Sequence, residues 1–234
     1  MSRNVFGKEV FTTLEEMVVP EHTALMIVDP QNDFCSPGGC FDRLPDADMS
    51  LVKPFIENTA RLLSAARQAK VMVIFTKATN YPGGIYKSAP DLARKIEYLD
   101  PDAPLICAYG QWGDEIIDGL KPLPGEIVIS KNRHSSFAGT HLDMLLRSNG
   151  IKTVIVTGIA TERCVLATIA GAIAHDYYVV VPRDCVASAK LNIHNAALLV
   201  MSANLMKDEF TTSERIIKAW QTYKSGNRAT KTSA

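Results

Sequence analysis

Short runs of apolar residues alternate along the chain with longer segments in which apolar residues recur at helical spacing. These runs predict buried strands at residues 24–29, 71–76, 127–130, 153–157 and 178–181. Helical spacing predicts helices over 50–69, 112–120, 139–148, 161–175, 190–206 and 213–224. A continuous apolar run is expected where helices cover both faces of a strand. The alternation therefore predicts an α/β protein, with a mostly parallel Rossmann-like sheet in three α/β/α layers.

The domain organisation follows from the same pattern. No repeat, linker or compositional break interrupts the 234 residues, which predicts a single domain. Residues 1–20 are expected to form an N-terminal extension, and residues 225–234 a flexible tail. Residues 77–110 are rich in proline and glycine and predict a long connection with one short helix near 90–98. Because loops this long are usually functional, we expect a lid or a pocket wall there.

Composition and charge narrow the classes of function. The chain is 47% hydrophobic and 21% charged, as in ordinary globular proteins. Lysine plus arginine and aspartate plus glutamate each number 25, so no electrostatic argument favours nucleic acid or an anionic membrane as a partner. The absence of a signal peptide and of a long apolar span predicts a cytoplasmic protein. Five cysteines without a C-x-x-C pair predict free thiols.

Reactive side chains follow three of the predicted strands. Asp29 ends the first strand, Lys131 follows the third, and Cys164 lies just beyond the fourth. Ligands bind at the carboxyl ends of strands in open α/β sheets, so these three groups are expected to converge. An ammonium group and a helix N-terminus favour a thiolate, and a carboxylate can accept the thiol proton. Each residue alone also has a structural interpretation, as a turn cap, a solvated lysine and a core thiol. Their combination predicts a catalytic set.

Three separated motifs resemble those of the isochorismatase-like cysteine hydrolases. They are D-P-Q-N-D-F at 29–34, K-N-R-H-S-S-F at 131–137 with T-H-L-D at 140–143, and T-G-I-A-T-E-R-C-V at 157–165. The resemblance extends over residues 20–222. It implies a Rossmann-like sheet, a Cys–Asp–Lys triad and a homo-oligomer, either a dimer or a tetramer.

The resemblance also implies a role for each matching residue. Cys164 would be the nucleophile, Asp29 the general base and then the acid, and Lys131 their electrostatic partner. A cis peptide bond is expected at Ile159–Ala160. It would direct the backbone amides of Ala160 and Cys164 into an oxyanion hole, which stabilises the negative charge formed during acyl transfer.

Within the superfamily the chain is most similar to amidohydrolases of ureido compounds, such as ureidoacrylate amidohydrolase and biuret hydrolase. The similarity implies cleavage of a C–N bond in a small amide or ureide through an acyl-enzyme, with release of ammonia. Phe34, Asn80, Tyr81 and His134 are candidate substrate-binding residues. His134 occupies a position where the ureidoacrylate enzyme is expected to have an aromatic residue.

Two other functions remain open at this point. Vinyl-ether hydrolysis of the isochorismate type is one, although Cys164 favours covalent amidase chemistry. A non-catalytic Rossmann-like binding domain is the other, and the chain lacks the G-x-G-x-x-G and G-x-x-x-x-G-K-[ST] motifs expected of nucleotide binding. No metal or other cofactor is expected. The nicotinamidase branch uses an Asp-x-His pair with a further histidine, whereas this chain has Asp46-Ala47-Asp48 in that region.

Overall fold

A computed structural model describes residues 2–93 and 105–232, with side chains described up to residue 225. Its central sheet has seven strands, and every pair in it is parallel. They are β3 (Thr23–Val28), β4 (Met72–Ala78), β5 (Ile127–Lys131), β6 (Thr153–Ile159), β7 (Tyr178–Pro182), β8 (Val186–Ala187) and β9 (Phe210–Thr211). The order is β5-β4-β3-β6-β7-β9, and β8 pairs with β6. All five predicted strands are present.

Eight α-helices lie in the described residues. They are α1 (Leu14–Met17), α2 (Asn32–Cys35), α3 (Val52–Ala69), α4 (Ala89–Ala93), α5 (Leu142–Ser148), α6 (Leu166–Ala174), α7 (Leu191–Asn204) and α8 (Ser213–Thr232). One hydrophobic core contains buried residues of α1, α3 and α8, and a second contains buried residues of α5, α6 and α7. The predicted three-layer α/β/α arrangement is therefore confirmed.

Strand β3 shows how the sequence produces these layers. All six of its residues are buried. Leu25 and Ile27 belong to the first core, whereas Ala24, Met26 and Val28 belong to the second. Successive side chains of a strand point to opposite faces, so a strand with both faces covered requires an unbroken apolar run.

Several elements differ from their predicted bounds. The predicted helix over 112–120 is instead two 3₁₀ turns, Trp112–Asp114 and Asp118–Leu120. Between them, Ile116 forms an antiparallel bridge with Gln31, which favours extended backbone. The last helix continues to Thr232 rather than ending at 224, so residues 225–232 are helical where a tail was expected. Of the helix predicted at 90–98, residues 94–98 lie outside the described residues.

The sequence pattern did not predict several short strands. The N-terminal extension contains a two-stranded antiparallel hairpin, β1 (Arg3–Val5) with β2 (Lys8–Val10), whose residues are mostly exposed. Strands β8 and β9 have two residues each, too few for a period to be recognised. Within the described ranges, no helix is both long enough and apolar enough to cross a lipid bilayer.

The sheet order fixes where a ligand would bind. From β3 the chain proceeds outward through β4 to β5, then returns across β3 to form β6 on its other side. The gap between the carboxyl ends of β3 and β6 is therefore a topological switch point, where open α/β sheets form their binding crevice. Asp29 follows β3, and Cys164 lies in the turn that follows β6.

Candidate active site

A tight turn after β3 positions the carboxylate of Asp29. Asp29 has a left-handed backbone with φ of 53°, a conformation that aspartate tolerates better than most residues. Its amide donates a hydrogen bond to the carbonyl of Thr76 at 2.9 Å, and its carbonyl accepts one from the amide of Gln31 at 2.8 Å. The turn is thus held by one main-chain bond to the neighbouring strand β4 and by one within the turn itself.

Glycine at position 158 allows β6 to run close to β3. Gly158 has φ of 129°, and a Cβ there would collide with the main chain of Val28. The next peptide bond, Ile159–Ala160, is cis, as predicted. Residues Thr161–Val165 then form a π-helical turn, in which the amides of Arg163 and Val165 both donate to the carbonyl of Ala160. Cys164 lies in this turn, immediately before α6, rather than in an ordinary first helical turn.

The ammonium group of Lys131 joins the other two reactive groups. Its Nζ lies 2.8 Å from Asp29 Oδ2, and it donates hydrogen bonds to Cys164 Sγ at 3.2 Å and to the carbonyl of Arg133 at 3.1 Å. An ammonium has three N–H groups, and three acceptors surround this one. The expected convergence of carboxylate, ammonium and thiol is therefore present in the structure.

All three side chains are buried. Asp29 is 0%, Lys131 1% and Cys164 7% exposed. Asp29 and Lys131 form a buried ion pair, with 2.8 Å between Oδ2 and Nζ. Charge pairing with Lys131 is thus what offsets the burial of this carboxylate, since an unpaired buried charge is strongly unfavourable.

Burial and the Asp29 carboxylate together raise the pKa of the Cys164 thiol to about 12, although the Lys131 ammonium acts in the opposite direction. Burial alone would lower the pKa of Lys131, but the Asp29 carboxylate and the sulfur outweigh it, so that the pKa of Lys131 is raised. The thiol is therefore protonated at neutral pH, and its proton must leave as the sulfur attacks. The ammonium alone does not produce the thiolate.

Of the four candidate substrate-binding residues, the structure brings His134 to the triad. Its Nδ1 lies 3.5 Å from Cys164 Sγ, and the side chain is exposed. Phe34 is buried and packs edge-on against Phe41, with ring centroids 4.8 Å apart. Phe34 thus contributes to the core beneath the site.

Asn80 and Tyr81 contact the segment that follows the undescribed residues. The side-chain amide of Asn80 donates to the carbonyl of Ile106 at 2.5 Å, and its main-chain amide donates to that of Cys107 at 2.9 Å. The ring of Tyr81 stacks on Tyr109 at 4.8 Å. Both residues therefore attach the 105–109 segment to the end of β4, as expected of a wall rather than of a free loop.

Gln31 is a site residue that the sequence reasoning missed. It is fully buried, and its side chain accepts a hydrogen bond from the amide of Ala78 and donates one to the carbonyl of the same residue, both at 2.8 Å. It also donates to the carbonyl of Asp114 at 3.1 Å. Gln31 thus ties the turn that carries Asp29 to the end of β4. Its position inside the D-P-Q-N-D-F motif, two residues after Asp29, was the available sequence signal, although it does not reveal these contacts.

Asp33 and Asp114 were also missed. The Asp33 carboxylate accepts hydrogen bonds from the amides of Cys40 at 3.2 Å and Cys107 at 2.5 Å. Asp114 is 3% exposed, and its carboxylate pairs with Lys77 Nζ at 2.6 Å. These carboxylates connect loops around the site, so their function is to fix the architecture. Within the described ranges, no group of three histidine, cysteine or acidic residues is arranged to hold a metal ion.

Comparison with known proteins agrees with this geometry. Residues 23–214 match the family described as Isochorismatase, the isochorismatase domain. Ureidoacrylate amidohydrolase RutB of Methylobacterium radiotolerans is 36% identical over 188 residues, a match that covers 76% of this chain and 72% of that protein. The chain belongs to the isochorismatase family. It is an amidohydrolase of that family, acting on C–N bonds other than peptide bonds, in agreement with the class predicted from its motifs.

Solved structures agree on the fold. The isochorismatase family protein from Desulfovibrio vulgaris subsp. vulgaris superposes with a TM-score of 0.67 and 32% identity, over 79% of this chain and 91% of its own. The cysteine hydrolase from Pseudomonas syringae pv. phaseolicola superposes with a TM-score of 0.73 and 25% identity, over 87% of this chain and 94% of its own.

Proposed function

We propose that the chain hydrolyses the C–N bond of a small ureido compound, with a ureidoacrylate- or biuret-like carbamoyl group, through a covalent intermediate on Cys164. The observation that carries the proposal is the contact of one buried ammonium, Lys131, with both the Asp29 carboxylate and the Cys164 sulfur. The similarity to ureidoacrylate amidohydrolases supports the choice of substrate class.

In the first half-reaction, Cys164 Sγ attacks the carbonyl carbon while its proton passes to Asp29. A base is needed because burial and the Asp29 carboxylate raise the pKa of the thiol, which therefore keeps its proton at neutral pH until a base takes it. The amides of Ala160 and Cys164 are proposed to donate to the developing oxyanion. The C–N bond then breaks, the leaving nitrogen takes the proton from Asp29, and a thioester-type acyl-enzyme remains. Water then cleaves this intermediate and restores the Cys164 thiol. When the acyl group is a carbamoyl group, the carbamic acid that leaves decomposes into ammonia and carbon dioxide.

Four residues are proposed to define the substrate pocket. His134 faces the sulfur directly, and Tyr81 contributes an aromatic surface that continues into Tyr109. Asn80 and Phe34 would act indirectly, without contacting the substrate. Asn80 would fix the 105–109 segment, and Phe34 would fix the turn after β3.

The experiment that tests this function is a screen for ammonia release. The substrates are ureidoacrylate, biuret, N-carbamoyl amino acids, nicotinamide and maleamate, assayed with the wild type, with Cys164→Ala and with the matched control Cys40→Ala. We expect release from a ureide, loss of it in Cys164→Ala, and its retention in Cys40→Ala. Unchanged activity of Cys164→Ala, or release of pyruvate from isochorismate without ammonia release from any amide, would contradict the proposal.

A homo-oligomer in the cytoplasm is also proposed. Helix α7 supports the oligomer, because its apolar residues Leu191, Ile193, Leu199 and Val200 have 41–71% of their surface exposed. Ile193 and Val200, seven positions apart, lie on the same face of the helix. Light scattering coupled to size-exclusion chromatography should give a dimer or tetramer. Leu199→Glu should shift the molar mass of the particle to that of smaller species. A monomeric wild type would contradict this proposal.

A further inference from the structure

Thr161 lies between the two groups that are proposed to act on the substrate carbonyl. It directly follows Ala160, whose amide is proposed to bind the oxyanion, and it precedes Cys164 by three positions. It is 0% exposed and begins the π-helical turn that carries the sulfur. Its hydroxyl oxygen lies 2.9 Å from Nδ1 of His194. The start of the turn is therefore bonded to a side chain of a different element.

The start of the π-helical turn lacks the usual helical cap. Its N-cap residue is Ala160, which has no polar side chain to cap it. The amides of Arg163 and Val165 instead converge on the carbonyl of Ala160, at 3.0 and 3.2 Å. Strand β8 pairs with β6 as far as Ile159, which lies opposite Ala187, so the ladder stops one residue before the turn. The bond between hydroxyl and imidazole therefore secures the turn where neither the sheet nor a cap does.

His194 comes from a helix that packs on the core. It lies in the first turn of α7, where its amide donates to the carbonyl of Lys190 at 2.9 Å. Three and seven positions further on, Ala197 and Met201 are 4% and 1% exposed, so His194 belongs to the buried face of α7. Met201 is part of the second hydrophobic core. The half-buried imidazole is thus held by a helix whose own position is fixed.

The imidazole of His194 is in a form that can hold the hydroxyl. Burial lowers its pKa, against the opposing effect of the Glu162 carboxylate, so the ring is neutral at neutral pH. A neutral imidazole has one donor and one acceptor nitrogen, and a hydroxyl can both donate and accept. Nδ1 can therefore bond the Thr161 hydroxyl in either tautomer of the ring.

On the basis of the proposed function, we infer that His194 is a positioning residue: through Thr161, it holds the amide of the oxyanion hole and the sulfur of Cys164 in register with one substrate carbonyl. It takes no proton in the reaction. Donors of an oxyanion hole act only at hydrogen-bond distance from the developing charge, and a misplacement of about 1 Å can cost about 10²-fold in rate. Loss of the bond therefore affects the transition state rather than the binding of substrate.

Variants of the two bonded residues test the inference, with the amide or ureide that the wild type hydrolyses fastest as substrate. His194→Leu and Thr161→Val each remove the bond, and each should reduce kcat by about 10- to 10²-fold with little change in KM. Either variant tests the bond by itself, should the other not fold. The double variant should be no slower than the slower single variant, because the same bond is lost in all three. His194→Asn places a polar atom close to the position of Nδ1, and Thr161→Ser keeps the hydroxyl, so both should recover most of kcat.

Met201→Ala is the matched control, because it truncates a buried side chain on the same face of α7, two turns further on. It should lower the melting temperature but keep kcat close to that of the wild type. Wild-type kcat in His194→Leu and Thr161→Val would overturn the inference, and so would equal losses in His194→Leu and His194→Asn or additive losses in the double variant. A loss of kcat in Met201→Ala as large as in His194→Leu would also overturn it, since general destabilisation would then explain both. Full activity in Cys164→Ala would instead contradict the proposed function, on which the inference rests.

Discussion

Lys131 holds its ammonium nitrogen 3.2 Å from the sulfur of Cys164, although the two residues are 33 positions apart in the chain. The contact is completely enclosed by protein on the lysine side. A lysine is rarely buried unless it is paired. Its burial here follows from Asp29, whose carboxylate is equally buried and lies 2.8 Å away. The thiol is therefore adjacent to a neutral ion pair rather than to an isolated positive charge.

The first prediction concerns that ion pair. Lys131→Met and Asp29→Asn should each abolish activity and lower the free energy of unfolding by about 3–5 kcal/mol, because each leaves one buried charge without its partner. The double variant should be inactive but less destabilised than the sum of the two single variants. Urea unfolding of the wild type, the two single variants and the double variant measures this coupling. Strict additivity would mean that the two charges do not depend on each other.

The second prediction concerns Gln31. Gln31→Ala leaves both polar groups of the Ala78 main chain without their partner, at a cost of about 1–3 kcal/mol for each group. Because the same side chain fixes the turn that carries Asp29, kcat should fall together with stability. Gln31→Glu keeps the shape and the acceptor, but it places a buried carboxylate against the carbonyls of Ala78 and Asp114, so it should be at least as destabilising as Gln31→Ala. Unchanged melting temperature and kcat in the two variants would contradict this interpretation.

The third prediction concerns the approach of β6 to β3. Gly158→Ala introduces a Cβ that collides with the main chain of Val28, so β6 and β3 must separate at the edge of the sheet next to Asp29 and Cys164. Gly139→Ala is the matched control: Gly139 also has a positive φ, of 72°, but nothing lies within 4 Å of its added Cβ. We expect Gly158→Ala to be far less stable in thermal unfolding and to lose activity. The control should lose only about 1 kcal/mol. Similar behaviour of the two variants would contradict the structure.

The fourth prediction concerns the dependence of stability on pH. Burial, and secondarily Asp184, raise the pKa of the Cys185 thiol to about 12, whereas an unfolded cysteine titrates near about 8.5. Between pH 8 and about 9.5 the unfolded chain loses this proton and the folded chain keeps it, so stability must decrease as pH rises.

Cys185→Ala measures the contribution of this thiol. The variant should reduce the slope of unfolding free energy against pH by up to about 1.4 kcal/mol per pH unit in that interval. The substitution also creates a small cavity, but that cost is the same at every pH and does not alter the slope. Identical slopes for the wild type and the variant in urea unfolding would contradict a raised pKa in the folded state.

The sequence predicted the parts of the fold that depend on local pattern. Apolar runs such as Ala24–Val28 in β3 identify buried strands because both faces must be covered. The convergence of Asp29, Lys131 and Cys164 was also predictable, since Lys131 ends a strand and the other two follow strands whose carboxyl ends share the same edge of the sheet. Strands β8 and β9 were not predictable, because pairing with β6 and β7, rather than any local period, makes them strands.

The electrostatic state of the site could not be predicted from the sequence. A lysine beside a cysteine suggests a thiolate, but burial and Asp29 together outweigh the ammonium and keep the thiol protonated. The balance depends on solvent exposure and on distances that only the folded chain defines. The hydrogen bonds of Gln31 to Ala78 are likewise contacts between residues 47 positions apart, and no local pattern reveals them.

The covalent step on Cys164 is tested most directly by mass spectrometry of enzyme quenched during turnover. Wild-type protein mixed with ureidoacrylate and stopped in acid should carry the mass of an acyl group on the peptide that contains Cys164. Asp29→Asn should carry none, because asparagine cannot deliver a proton to the leaving nitrogen and the C–N bond then does not break. An adduct on another residue, or steady release of ammonia with no adduct on Cys164 and full activity in Cys164→Ser, would contradict the mechanism.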